Sequence, residues 1–252
     1  MKKLTSFVAM LMMVSTSAFA QFANAGASGS SSAANTDAWQ GVTASYNMVK
    51  LAYDVDGAKD TNLNGFSIGY VKAFSISKSL PLFVETGLNL TYATDKEDGD
   101  SYTIEGECAV SAFKWGDSYS LSDKYEYTYW GLTIPVNLAY KYTINDDLQI
   151  IPFTGVYFRG NLVAKQKYIL EGSLYCPHYD EGYTETEEEE EYNLFDDDDV
   201  ENTWNRFNFG WQIGAKVAYQ NFTAGISYGL DLNEIGEKTK MNNFSISVGY
   251  NF

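Results

Sequence analysis

The chain has 252 residues, 45% hydrophobic and 16% aromatic, with 21 glycines and four prolines. So many aromatic residues exclude a wholly disordered acidic chain. The net charge of −16 excludes nucleic acid as a partner, because its phosphates would be repelled.

Met1-Lys2-Lys3 precedes an apolar stretch from Phe7 to Val14, and Ala18-Phe19-Ala20 places small residues before Gln21. This pattern predicts a secretory signal peptide over residues 1–20, too short to serve as a spanning helix. Residues 21–40 begin with a run rich in Gly, Ser and Ala, and read as a flexible periplasmic linker. The remainder, 41–252, shows no apolar run long enough for a spanning helix, so alternation has to decide its class.

Side chains alternate faces along a strand, and eight segments show that period. Val42–Tyr53 is the least regular: Tyr46 and Met48 share one parity, Leu51 and Tyr53 the other, which predicts a bulge. In the second, Phe66, Ile68, Tyr70, Phe74 and Ile76 oppose Gly65, Ser67, Gly69 and Ala73, with Lys72 out of place on the apolar side. Next, Leu82, Val84, Leu88, Leu90 and Tyr92 oppose Phe83, Glu85, Gly87 and Asn89. The fourth, Thr128–Tyr142, sets Trp130, Leu132, Ile134, Val136, Leu138 and Tyr140 against Gly131, Thr133, Pro135, Asn137, Ala139 and Lys141. Leu148, Ile150, Val156 and Phe158 then oppose Gln149, Gly155 and Arg159. Phe207 to Tyr219 opposes Arg206, Asn208, Gly210, Gln212, Gly214 and Lys216. Phe222, Ala224, Ile226, Tyr228 and Leu230 oppose Thr223, Gly225, Ser227, Gly229 and Asp231. Phe244–Phe252 closes the chain on an aromatic residue.

An aliphatic band bracketed by aromatic rings, with charges on the opposite parity, suits strands that cross a bilayer with a polar interior. Links near 77–79, 145–147 and 220–221 are short, whereas those near 54–62, 93–126, 164–203 and 233–240 are long. The reading is all-β: an eight-stranded antiparallel up-and-down transmembrane barrel in the outer membrane, with long extracellular loops and periplasmic termini.

Leu132-Thr133-Ile134-Pro135-Val136-Asn137-Leu138-Ala139-Tyr140-Lys141-Tyr142, followed by Ile151-Pro152-Phe153-Thr154-Gly155, resembles the Bacteroidetes outer-membrane β-barrel (porin-like, PorT-type) family. Phe244–Phe252 resembles the general outer-membrane assembly signal, implying the barrel-assembly machinery as a partner. The resemblance implies a fold and a location and supplies no catalytic residue.

An eight-stranded interior is only wide enough for side chains to fill it, so Glu85, Arg159, Arg206 and Lys216 are expected as one salt-bridge cluster. Residues 93–126 and 164–203 hold 23 of the 33 acidic residues and are expected as extended, solvated loops. Within them Glu187, Glu188, Glu189, Glu190, Glu191, Asp196, Asp197, Asp198 and Asp199 are candidates for loose Ca²⁺ or Mg²⁺ binding, with no other cofactor expected. Cys108 and Cys176 fall in different loops above neighbouring strands and are expected to form a disulfide. Two Cys and His178, the single histidine, fall short of a four-ligand zinc set.

The leading expectation is a monomeric, non-enzymatic barrel with a surface-interaction or envelope-stabilising role. It would contact outer-membrane lipid and lipopolysaccharide and present its acidic loops to an extracellular partner. One alternative is a small porin or solute channel, with segments such as Tyr102–Val110 and Tyr168–Leu174 inserted as extra strands. The other is an outer-membrane enzyme using His178.

Overall fold

The computed structural model describes residues 37–55, 60–77, 79–105, 118–175, 183–195 and 203–252. The expected signal peptide, most of the linker, Cys108, Cys176, His178 and Asp196–Asp199 lie outside the described residues.

Ten strands are described: β1 Gln40–Tyr53, β2 Thr61–Ser75, β3 Leu82–Glu105, β4 Ser118–Tyr140, β5 Tyr142–Thr143, β6 Leu148–Tyr175, β7 Tyr183–Asn193, β8 Phe207–Tyr219, β9 Phe222–Asp231 and β10 Thr239–Asn251. Eight of them pair antiparallel in a ring, β1–β2–β3–β4–β6–β8–β9–β10, with β10 returning to β1. Closure leaves no free sheet edge within the ring, which is what a bilayer demands of strands. β5 is a two-residue addition beside β6, and among the described residues β7 pairs only with β6.

The apolar parity points outward. Val42, Phe66, Ile68, Phe74, Leu88, Ile134, Val217, Ile226 and Val248 are all exposed. Facing rings meet across strands: Tyr46 with Phe66 at 5.5 Å, Tyr92 with Trp130 at 4.9 Å, Phe222 with Tyr250 at 5.3 Å. In a soluble protein such a surface would be a liability; around a barrel it is the lipid-facing belt. Lys72 also points outward, its Nζ 5.3 Å from the centre of the Phe74 ring. A cation over an aromatic face keeps one partner while its head reaches toward water.

β1 corrects the expected bulge. Its registers with β2 and β10 run unbroken from Gly41 to Leu51, so Val49 and Leu51 point inward because the interior is apolar at that level. Register shifts fall instead on β3, between Asp98 and Ser101, and on β6. Trp130 pairs with Val163 and Gly131 with Asn161, leaving Leu162 extra and exposed. The parity of β6 therefore flips, and Ala164 faces inward beside Tyr129.

The described parts of the long acidic segments are strands and not the extended loops expected. β3, β4 and β6 continue through them as paired strands, and β7 adds a fourth beside β6. β6 alone has 28 residues, about 90 Å at ~3.3 Å per residue, against a hydrocarbon core of ~30 Å. Tyr102 and Tyr168–Leu174 lie on these extended staves and insert no additional ones. We call this four-stranded region, beyond Thr94, Thr128 and Ala164, the extension.

Like-charge repulsion loses here because lysines alternate into the facing strands. Lys167 pairs with Glu189 at 2.5 Å, Lys165 with Glu191 at 2.6 Å and Lys124 with Glu171 at 2.5 Å. Lys96 pairs with Glu126 as well.

Candidate functional site

Two places concentrate charge, the barrel interior and the extension. The interior is layered, and each layer follows from which inward positions are small. At the end with the short links, Ala73, Phe83, Ala139, Ile151, Phe153 and Ala218 form an apolar layer. Trp39, from the segment expected as a flexible linker, packs on it with its ring 4.7 Å from that of Phe83. Its carbonyl accepts from Ala73 N at 2.8 Å, and Lys141 Nζ lies 4.9 Å from both rings while donating to Asp37 O. The last linker residues thus belong to the barrel.

Glu85 occupies the next layer, 2% exposed. Lys216 Nζ donates to both of its oxygens at 2.6 Å, Trp39 Nε1 to Oε2 at 3.2 Å and Asn137 Nδ2 to Oε1 at 3.4 Å. Gln212 Nε2 in turn donates to Asn137 Oδ1 at 2.7 Å. A carboxylate in so dry a place survives only with this many donors. Above it lies a cavity of about 130 Å³, lined by Ser45, Asn47, Asn89, Thr133, Asn243 and Ser245 among others.

Beyond the cavity, Arg159 is bonded to Asp231, their side chains 7% and 0% exposed. Tyr157 OH donates to Asp231 Oδ1 at 2.5 Å and Met241 N to Oδ2 at 3.3 Å. Tyr129 OH and Arg159 Nε share Asn161 Oδ1 at 2.7 and 3.3 Å, while Asn161 Nδ2 reaches Asn208 Oδ1 at 2.6 Å. Glycine supplies the room. A Cβ on Gly210 would stand 2.2 Å from the Tyr157 ring, and one on Gly214 would stand 2.4 Å from the Phe153 ring.

A second apolar layer covers this network at the opposite end, made of Val49, Leu51, Leu63, Ala93, Tyr129, Ala164, Leu194, Ile235 and Met241. Trp204 and Phe195 pack against it, so the residues just after β7, those just before β8 and the β9–β10 turn fold into the mouth.

The expected single cluster is therefore two separate pairs with different members. Glu85 joins Lys216, and Arg159 joins Asp231, a residue visible only as the last polar-parity position of its strand. Arg206 belongs to neither. It is exposed at the rim, with its guanidinium 4.4 Å from the centre of the Phe195 ring, because it precedes the first residue of β8. Trp39 carried no periodic signal, and the tyrosine and asparagine partners are fixed by register that a single strand does not reveal.

On the extension, the run Glu187–Glu191 forms part of β7. Glu189 and Glu191 are held by lysines and Glu190 accepts from Tyr192 OH. The hydrogen bond from Lys167 lowers the Glu189 carboxyl below the ordinary range, and the same contact raises the Lys167 ammonium. Among the described residues no group of three or more His, Cys, Asp or Glu is arranged to hold a metal ion.

A closed antiparallel ring with a lipid-facing apolar belt and a neutralised polar interior defines an integral outer-membrane β-barrel. The family model described as "Outer membrane protein beta-barrel domain" matches residues 6–252, and the chain belongs to that family. A comparison with curated proteins gives no match.

Among solved structures, the chain is similar to Ail, the attachment invasion locus protein of Yersinia pestis. The two are 13% identical over 86% of this chain and 99% of that one, with a TM-score of 0.37. It is also similar to Neisserial surface protein A, at 10% identity over 85% and 97% of the two chains and a TM-score of 0.36. The N-terminal β-barrel domain of Pseudomonas aeruginosa OprF follows at 13% identity, 83% and 97% coverage and a TM-score of 0.27.

Proposed function

We propose that this protein is a non-enzymatic surface protein of the outer membrane, in which a sealed barrel anchors an extracellular interaction surface, the extension. One observation carries the reading: apolar layers close both ends of the interior around paired charges, while three staves run on into a solvated sheet. A channel would instead need a continuous wet path. The short links and both ends of the ring lie together, which supports a periplasmic position for that end and an outward-facing extension. The Leu132–Tyr142 strand supports a place near the porin-like barrels of Bacteroidetes.

Protease added to intact cells tests the orientation: cleavage is expected within the extension, leaving a membrane-protected barrel fragment. Planar-bilayer recording tests the anchor. Purified protein is expected to give no steady conductance, and sustained open steps would replace this reading with a channel.

A further inference from the structure

β7 is an edge strand of an unusual kind. It spans Tyr183–Asn193, eleven residues, and pairs with β6 along its whole length. Among the described residues no strand pairs with its other edge. Proteins blunt such edges with proline, bulges, glycine kinks or inward charge, since an unpaired row of N–H and C=O groups recruits any extended chain. β7 has no proline and no glycine, and its register with β6 is unbroken. Its one defence is charge, six Glu with no Lys or Arg.

That defence is selective. Two copies of β7 laid edge to edge would set Glu against Glu, and like charges directly opposite destabilise a strand pair. A second copy of this chain is thereby repelled. A basic strand is not, because each of its cations would meet a carboxylate. The lysines of β6 do not remove this preference. They reach β7 from its paired side, Lys165 to Glu191 and Lys167 to Glu189, and leave the strand acidic overall. Carboxylates also stand on both faces: Glu189 and Glu191 follow one parity and Glu190 the other.

We propose that the free edge of β7 accepts an extended, Lys- or Arg-rich segment of another protein by strand addition. Backbone hydrogen bonds supply the affinity and the Glu run selects cations at alternate positions. This deepens the surface-interaction reading and rests on it for its biological setting, although the binding itself is a property of the purified chain.

The test uses full-length protein in detergent micelles and a fluorescent eleven-residue peptide alternating Thr and Lys, matched to the length of β7. Fluorescence anisotropy is expected to show saturable binding, about tenfold tighter than for the same peptide N-methylated at alternate residues, because methylation removes the backbone donors of strand addition. Equal affinity of the two peptides would overturn the proposal, since charge alone would then account for binding. The double variant Glu187→Gln, Glu190→Gln, which leaves the Lys165–Glu191 and Lys167–Glu189 pairs in place, is expected to weaken binding while keeping heat-modifiable gel migration and β7 amide protection. Unchanged binding by that variant overturns the role of the Glu run. Concentration-dependent dimers in sedimentation, lost on adding the peptide, would overturn the choice of occupant. Protease protection of the extension on cells, by contrast, would sink the surface reading and leave the peptide result standing.

Discussion

The barrel interior and the extension each hold Lys or Arg paired with a carboxylate, yet the two sets do different work. Arg159–Asp231 and Lys216–Glu85 are buried in the barrel, and each carboxylate takes further donors from Tyr157 and Met241 or from Trp39 and Asn137. The four extension pairs stand in solvent, with Lys96 77% and Glu191 55% exposed. Burial raises the cost of losing one partner far more than it raises the value of the pair. Interior pairs therefore hold the barrel together, whereas extension pairs choose which strand lies beside which.

The largest effect is expected for Asp231→Ala. It leaves Arg159 buried and uncompensated, and denaturant unfolding in micelles should show a loss of about 3–5 kcal/mol. A loss no greater than that of an exposed substitution would place Arg159 in contact with water and erase the contrast between the two regions.

Gly210→Ala comes next. Its methyl group meets the Tyr157 ring at 2.2 Å and Leu230 O at 2.4 Å, so overpacking should cost about 1–3 kcal/mol in the same assay. The companion change Tyr157→Phe would not relieve it, since the ring and not the hydroxyl alone fills that space.

Acidification should separate the regions. Glu189 has a carboxyl lowered by Lys167, so its stabilisation is present above the ordinary carboxylate range and is lost as pH falls through the lowered value. Lys167 is raised by the same contact, so its share is present below the ordinary lysine value and is lost as pH rises through the raised one. Amide protection factors, referred to the intrinsic exchange rate at each pH, are expected to fall in β7 at both extremes, with β8–β10 still protected. Uniform exchange across both regions would contradict it.

Lys167→Ala gives the smallest effect. The barrel transition should not move, and only β7 exchange should rise, because exposed pairs are screened.

Alternation made most of the barrel legible. Phe66, Ile68 and Phe74, or Ile134, Val136 and Leu138, declare an apolar face opposite Gly, Ser and Asn, and charges on the polar parity mark the apolar face as lipid-directed. The extension was illegible for the opposite reason. Five consecutive glutamates give no period, and in the sheet they form a strand beside β6, with Lys165 and Lys167 paired to two of them. Leu51 misled by the same logic: apolar on the polar parity, it looks like a bulge until Ile235 and Met241 are seen packed in the same apolar layer.

Local chemistry by itself was enough to determine the class of protein, its address and the lipid face of most staves, since these depend on one strand at a time and on the bilayer as solvent. Which charges meet was settled only in three dimensions. Closing the ring sets how far each strand slides past its neighbour, and that slide brings Arg159 to Asp231, leaves Arg206 exposed at the rim and sets an acidic stretch beside β6 as a strand.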